Sequence, residues 1–172
     1  LLGNPEVVRV SGKTYQETAI DPERLKSSGY NVEELGLGLV RFNNDITLDL
    51  IESWAIHLDS FEGSCVGGSE GGIRLSPFGF FRSIGDLDLN STVNMDSASY
   101  RWHTLRKNAD VYDGPQQHWV AALQGRVKLL PTAELALNTM LISEGIYLSS
   151  ALGREVTAQE VAKASKSTAA KV

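Results

Sequence analysis

Two hydrophobic periods divide this chain, and their order restricts its fold more than any single residue does. Over residues 6 to 89, apolar side chains alternate or gather in short β-branched runs, the pattern of pleated strands half-buried on one side. After residue 113 they recur at three- and four-residue steps, as on amphipathic helices. Strands followed by helices predict an α+β fold: an open, mostly antiparallel β-sheet with helices packed on one face.

The strand half reads in pieces. Val7 to Tyr15 partly alternates and is rich in β-branched residues. Asp21 to Glu34 is polar with scattered apolar positions and predicts a loop or a short irregular helix. Leu35 to Phe42 and Ile46 to Ala55 then flank Asn43-Asn44-Asp45, residues that tolerate positive φ and suit a tight reversal. The first arm puts Leu35, Leu37 and Leu39 on one face and Gly36 and Gly38 on the other. Ile46, Leu48, Leu50 and Trp54 share the parity of one hairpin face, which serves either the core or a dimer contact. A second hairpin is expected around Gly68-Ser69-Glu70-Gly71, with more strand from Phe78 to Phe81 and from Asp86 to Val93, all in one antiparallel sheet.

The helical half carries its own punctuation. Asp113-Gly114-Pro115-Gln116 has the form of a helix start, Gly125 closes that segment, and Trp119, Val120 and Leu123 share a face. A longer helix follows Thr132, with Leu137, Met140, Leu141, Glu144 and Leu148 in register and Gly153 as its stop. Thr157-Ala158-Gln159-Glu160 is a capping box before a short terminal helix. Residues 1–172 are expected to form a single domain, with 164–172 as a frayed tail. At the other end, Leu1-Leu2-Gly3-Asn4-Pro5 reads as the last turn of a helix running into a Gly-Asn stop, and no methionine opens it. Residue 1 is therefore expected not to be the natural start.

Composition narrows the partners. A net charge of -5, from 21 acidic and 16 basic residues spread along the chain, offers no broad basic face to nucleic acid or anionic lipid. No uninterrupted apolar run approaches the roughly 18 residues that a spanning helix needs, and the single Cys65 cannot pair internally. These features predict a reduced, cytoplasmic protein with neither nucleic-acid nor membrane partners.

Few residue patterns carry chemistry. Val66 to Gly72 is glycine-dense, but it lacks the Lys-Ser/Thr of a phosphate loop and has strand on both sides, so it reads as a hairpin turn. His57, His103 and His118 show no metal-ligand spacing, and no metal site is expected. His57 reads as a surface or merely hydrogen-bonded histidine. No serine sits in a nucleophile elbow, and Asp86 and Asp88, placed on one strand face, read as solvated rather than as an acid-base pair. The stretch Tyr100-Arg101-Trp102-His103-Thr104 and the later Tyr112 to Trp119 concentrate rings, imidazoles and amides where sheet gives way to helix. Such sets suit sugar or polyol recognition, with rings meeting apolar faces and polar tips binding hydroxyls; a helix-sheet seam uses the same residues. Tyr100, Arg101, His103 and His118 are the candidate pocket-wall residues, and no catalytic residue is assigned.

Taken together, several pieces are similar to a known family. The entry Leu2-Gly3-Asn4-Pro5-Glu6-Val7-Val8-Arg9-Val10, the hairpin ending at Trp54-Ala55, and the Gly67-x-x-Glu70-Gly71 turn before Ile73-Arg74-Leu75 come in the family's order. So does the closing Thr132-Ala133-Glu134 through Glu144-Gly145-Ile146-Tyr147-Leu148 with Gly153-Arg154-Glu155-Val156. Over nearly its whole length the chain resembles the carboxy-terminal domain of glucose-fructose oxidoreductase/inositol dehydrogenase (Gfo/Idh/MocA) proteins. The resemblance implies a two-domain NAD- or NADP-dependent oxidoreductase acting on sugars, inositols or related polyols, of which this chain would be the substrate-binding and oligomerisation part. The family's Gly-x-Gly-x-x-Gly fingerprint, its Glu-Lys-Pro segment with a catalytic lysine and its Asp- and His-bearing helix do not occur here. The chain alone is therefore expected to be inactive and to bind no dinucleotide, with the open sheet face joining copies in a homo-oligomer. The rival expectation is a free-standing, non-catalytic α+β association or ligand-binding module.

Overall fold

The computed structural model describes residues 2–61, 63–95 and 115–166. Tertiary contacts divide the chain into two compact units, one formed by Leu1–His57 with Pro131–Val172 and the other by Leu58–Leu130.

The first unit is built on strands β1 (Val7–Tyr15), β2 (Leu35–Phe42), β3 (Thr47–Ser53) and the two-residue β8 (Val156–Thr157), in the order β3-β2-β1-β8, with antiparallel neighbours. The β2–β3 reversal uses Asp45 at φ 61°, a conformation that an Asp side chain tolerates. Helix α1 (Pro22–Ser28) precedes β2. Asp21 accepts from the N–H groups of Glu23 and Arg24, Pro22 opens the helix, and Gly29 closes it in the left-handed region. A short regular helix thus stands where a loop or irregular helix was expected.

One face of this sheet is covered by helix α3 (Thr132–Leu152) and by the short α4 (Ala158–Ala164). Val7, Val10, Val40, Ile146, Val156 and Val161 form the buried core, with Leu48, Leu50, Leu141 and Leu148 packed around it. Leu48 and Leu50 are therefore core residues. Gly38 of β2 faces the helix. A Cβ on Gly38 would lie 2.6 Å from Ile146 Cδ1, and one on Gly145 would lie 2.8 Å from Val10 Cγ2. Sheet and helix approach as closely as they do because both positions lack that atom.

This close approach rotates α3 away from its expected orientation. Gly145, Ile146 and Ser149 are its buried residues, whereas Leu137 is 62% and Met140 54% exposed. Ile146 with the small Gly145 and Ser149 faces the sheet, and the expected Leu137 and Met140 do not. By length and composition α3 could also cross a membrane, at 21 residues and a mean hydropathy of 1.2, a test that the core helix of a soluble protein also passes. Here it lies across β1 and β2. Gly153 ends it with φ 67° and donates its N–H to Ser149 O at 2.9 Å. The expected capping box is complete: Glu160 N–H donates to Thr157 Oγ1 and Thr157 N–H to the Glu160 carboxylate.

Because β8 pairs with Arg9 and Val10, the outer edge of β1 has no strand beside it further along among the described residues. Two serines of α3 take that place. Gly12 N–H donates to Ser149 Oγ at 2.9 Å and Thr14 N–H to Ser150 Oγ at 3.2 Å, while Ser149 Oγ donates to Arg154 O at 2.7 Å.

The second unit contains β4 (Cys65–Gly68), β5 (Gly71–Arg74), β6 (Gly79–Ile84) and β7 (Leu87–Thr92), an antiparallel meander in sequence order, and helix α2 (Pro115–Leu123). The strands thus fall into two four-stranded sheets and not one. Residues 54–61, 63 and 64 carry no strand, and among the described residues β4 pairs with β5 alone. The glycine-dense segment is a hairpin turn, as its sequence predicts. On α2 the buried residues are His118 and Ala121, while Trp119, Val120 and Leu123 are exposed. The Asp113 cap expected for α2 lies outside the described residues.

Candidate functional site

Tyr100, Arg101 and His103 lie outside the described residues. His118 is 8% exposed, and its Nε2 accepts the Leu130 N–H at 3.0 Å. His57 is exposed.

In the first unit, acidic and aromatic residues gather where β1 ends and β2 begins. Glu34 is 4% exposed; its Oε2 accepts the Glu17 and Thr18 N–H groups at 2.6 and 3.3 Å, and its Oε1 accepts the Tyr30 hydroxyl at 2.6 Å. Trp54 donates its indole N–H to Glu33 O at 2.8 Å and meets the Tyr30 ring edge-on at 5.8 Å. Tyr147 donates its hydroxyl to Glu33 Oε1 at 2.6 Å. The Tyr30 hydroxyl holds the Glu34 carboxyl below its usual range against the opposing pull of burial, with the two backbone N–H groups assisting. Burial and then the bond to Glu34 push Tyr30 up to about 12, and the bond to Glu33 and then burial do the same for Tyr147. A carboxylate that is already satisfied and phenols that do not ionise near neutrality make a structural clasp rather than an acid-base pair.

The other face of the first sheet is open. Leu35, Leu37, Leu39 and Ile51 lie on it beside Lys13 and Asp49, and a shallow depression of 390 Å³ runs over Ser11, Lys13, Leu37, Asp49 and Ile51. Leu39 and Ile51 are exposed.

The second sheet has two unlike faces. Val66, Ile73, Phe80 and Leu89 share one, and Gly67, Gly72, Phe81 and Asn90 form a row across the other, with Ser83 and Asp88 in the next row. A concavity of 530 Å³ lies on the second face, lined by Gly67, Gly72, Phe81, Ser83, Asp88 and Asn90 among others. Ser83 Oγ and Asp88 Oδ1 are hydrogen-bonded at 2.7 Å, and the Arg74 guanidinium stands 5.4 Å from the Phe81 ring centre. Residue-by-residue motif reading missed this set. Its signal was present in strand parity, which puts Asp88 and Asn90 on one side of β7, whereas Asp86 belongs to the turn before it.

No protein-family model and no curated protein matches the sequence. Solved structures do match. An oxidoreductase from Agrobacterium radiobacter, solved with NAD+, L-tartaric acid and magnesium, aligns with a TM-score of 0.56 and 22% identity over 90% of this chain and 44% of its own. The aldose-aldose oxidoreductase of Caulobacter crescentus, solved with glycerol, aligns at 0.53 and 16% identity over 89% of this chain and 42% of its own. The fold is shared with part of each of these two structures. An NAD-binding protein from Listeria innocua shares the fold at a TM-score of 0.57 and 15% identity, over 89% and 42% of the two chains. The chain thus spans less than half the length of the structures it matches, and the resemblance legible in its sequence is one of fold.

Such a fold raises the question of a nicotinamide cofactor. The glycine-dense segment does not fit one: its glycines stand in β4 and β5 on either side of the Ser69-Glu70 turn, with no helix N-terminus among them to face a pyrophosphate. Among the described residues, no group of three or more His, Cys, Asp or Glu side chains could hold a metal ion.

Proposed function

We propose that this chain is the substrate-binding and association domain of a two-domain oxidoreductase that uses NAD or NADP on a sugar, an inositol or a related polyol in the cytoplasm. One observation carries the reading: nine-tenths of the chain shares its fold with less than half of an oxidoreductase solved with NAD+ and of an aldose-aldose oxidoreductase. The chain would contribute one wall of a cleft, and a separate dinucleotide-binding domain the other. A nicotinamide held by that domain would exchange hydride with a carbon bearing a hydroxyl. Tyr100, Arg101, His103 and His118 would bind and orient the substrate hydroxyls; a ring and a guanidinium suit the faces and oxygens of a polyol. The open face of the first sheet, with its exposed Leu39 and Ile51, would join two copies of the chain.

The test is made on the full-length protein that carries this chain. It is assayed for reduction of NAD+ and NADP+ with aldoses, inositols and glycerol. Reduction is expected with at least one of them, and Arg101→Ala and His103→Ala should raise KM more than they lower kcat. A folded full-length protein that binds no nicotinamide overturns the reading. So does a 172-residue chain that oxidises a polyol by itself.

A further inference from the structure

We propose that the polar face of the second sheet is a binding shelf for a neutral, hydroxyl-rich small molecule of the carbohydrate class. Gly67 and Phe81 would supply its floor, and Ser83, Asp88 and Asn90 its polar wall. The inference goes beyond the oxidoreductase reading, because the shelf needs neither a second domain nor a nicotinamide.

Gly67 is the starting point. Glycine inside a strand weakens it, and where it is found it marks a bulge, a bend, or a place where backbone or ligand comes close. Here the β4–β5 register runs unbroken from Cys65 to Gly68, so there is no bulge. Gly67 does not adopt a left-handed φ, and a Cβ built on it would meet nothing within 4 Å. Neither the turn nor the packing asks for glycine at this position. Its effect is to leave bare backbone in the same row as Phe81 and Asn90, inside the 530 Å³ concavity.

The groups around that bare backbone are of complementary kinds. Phe81 offers an apolar surface, steadied by the Arg74 guanidinium 5.4 Å from its ring centre. Asp88 is fixed by its hydrogen bond with Ser83 at 2.7 Å, and the carboxylate keeps further acceptor capacity. Asn90 brings both a donor and an acceptor. A sugar or cyclitol presents C–H faces beside hydroxyls that donate and accept, which these groups match. Glu70 and Asp88 in the lining are offset by Arg82 there and by Arg74 beside Phe81, so no net charge draws an ion and a neutral polyol is favoured over a phosphate.

The 172-residue chain is titrated with D-glucose, myo-inositol and glycerol while its backbone amides are followed by NMR. At least one of these should give saturable shifts at Gly67, Gly72 and Asn90, with millimolar affinity. Gly67→Phe fills the vacant space, and Asp88→Ala removes the acceptor; each should weaken binding about tenfold or more. The thermal midpoint of Gly67→Phe should match that of the parent chain, which separates blockage from unfolding. If none of the three ligands gives saturable shifts at these amides, or if both variants bind as the parent does, the shelf is refuted. Failure of the full-length protein to reduce a nicotinamide leaves this readout intact, so the two proposals fail separately.

Discussion

Ile146 occupies the space that a side chain on Gly38 would need: its Cδ1 methyl lies 2.6 Å from where that Cβ would stand. The contact fixes how closely α3 lies on the first sheet, and it can be tested from both sides. Gly38→Ala should destabilise the protein by about 1 to 3 kcal/mol, the usual cost of overpacking. Adding Ile146→Val, which removes the clashing methyl, should restore part of the loss. Urea denaturation of the parent, the single variant and the double variant decides it; equal stability of Gly38→Ala and parent would disprove the contact.

Ser149 is buried and hydrogen-bonded on both sides, accepting from Gly12 and donating to Arg154. Ser149→Ala should cost about 1 to 3 kcal/mol, because it leaves a donor and an acceptor unpaired. It should also speed hydrogen exchange at the Gly12 amide more than at Val10, which β8 pairs. Uniform acceleration along β1 would contradict the assignment.

Acid should release the terminal helix early. The Glu160 carboxyl is held down at about 2, first by its bond to Arg154 and then by the bonds with Thr157. A carboxylate depressed on folding stabilises the protein fully above its unfolded value, and this contribution fades as pH falls toward the folded one. The loss should therefore run from about pH 4.5 down to about 2. Arg154→Ala should shift the Glu160 titration upward, as read by carboxyl NMR.

Glu34 follows the same sign, with Tyr30 as its leading support. Tyr30→Phe should raise the Glu34 titration toward that of an ordinary glutamate while the Glu17 and Thr18 amide bonds persist. An unchanged titration would mean that the phenol does not stabilise the carboxylate.

If the open face joins two copies, Ile51→Lys or Leu39→Glu should shift sedimentation toward the monomer without lowering the thermal midpoint, since both side chains are exposed. A parent chain that is monomeric at high concentration would remove the association part of the proposed function.

The legible parts of the fold were those written in local chemistry. The hairpin at Asn43-Asn44-Asp45, the glycine stop at Gly153 and the Thr157 capping box each depend on a few neighbouring residues, and each formed where the sequence placed it. The orientation of α3 was not legible from its own periodicity. Leu137 and Met140 are its most conspicuous apolar residues, yet the helix turns Gly145, Ile146 and Ser149 inward, with Ile146 in the space that Gly12 and Gly38 leave and Gly145 against Val10. That choice belongs to a pair of surfaces and not to one segment. The division into two sheets was hidden for a related reason: strand signals reveal strands but not their neighbours. Of the expected wall residues, Tyr100, Arg101 and His103 fall outside the described residues, and His118 is engaged with Leu130. Parity along β7 held the clue to the polar face that motif reading passed over.

The serines beside β1 make the first sheet one-ended. With the Gly12 and Thr14 amides already bound to hydroxyls, the flank beyond β8 has no ladder ready for a foreign strand. Among the described residues of the first sheet, the β3 margin is the long edge left without a neighbouring strand. Strand addition to the first sheet, whether for assembly or as misfolding, is thereby confined to that margin.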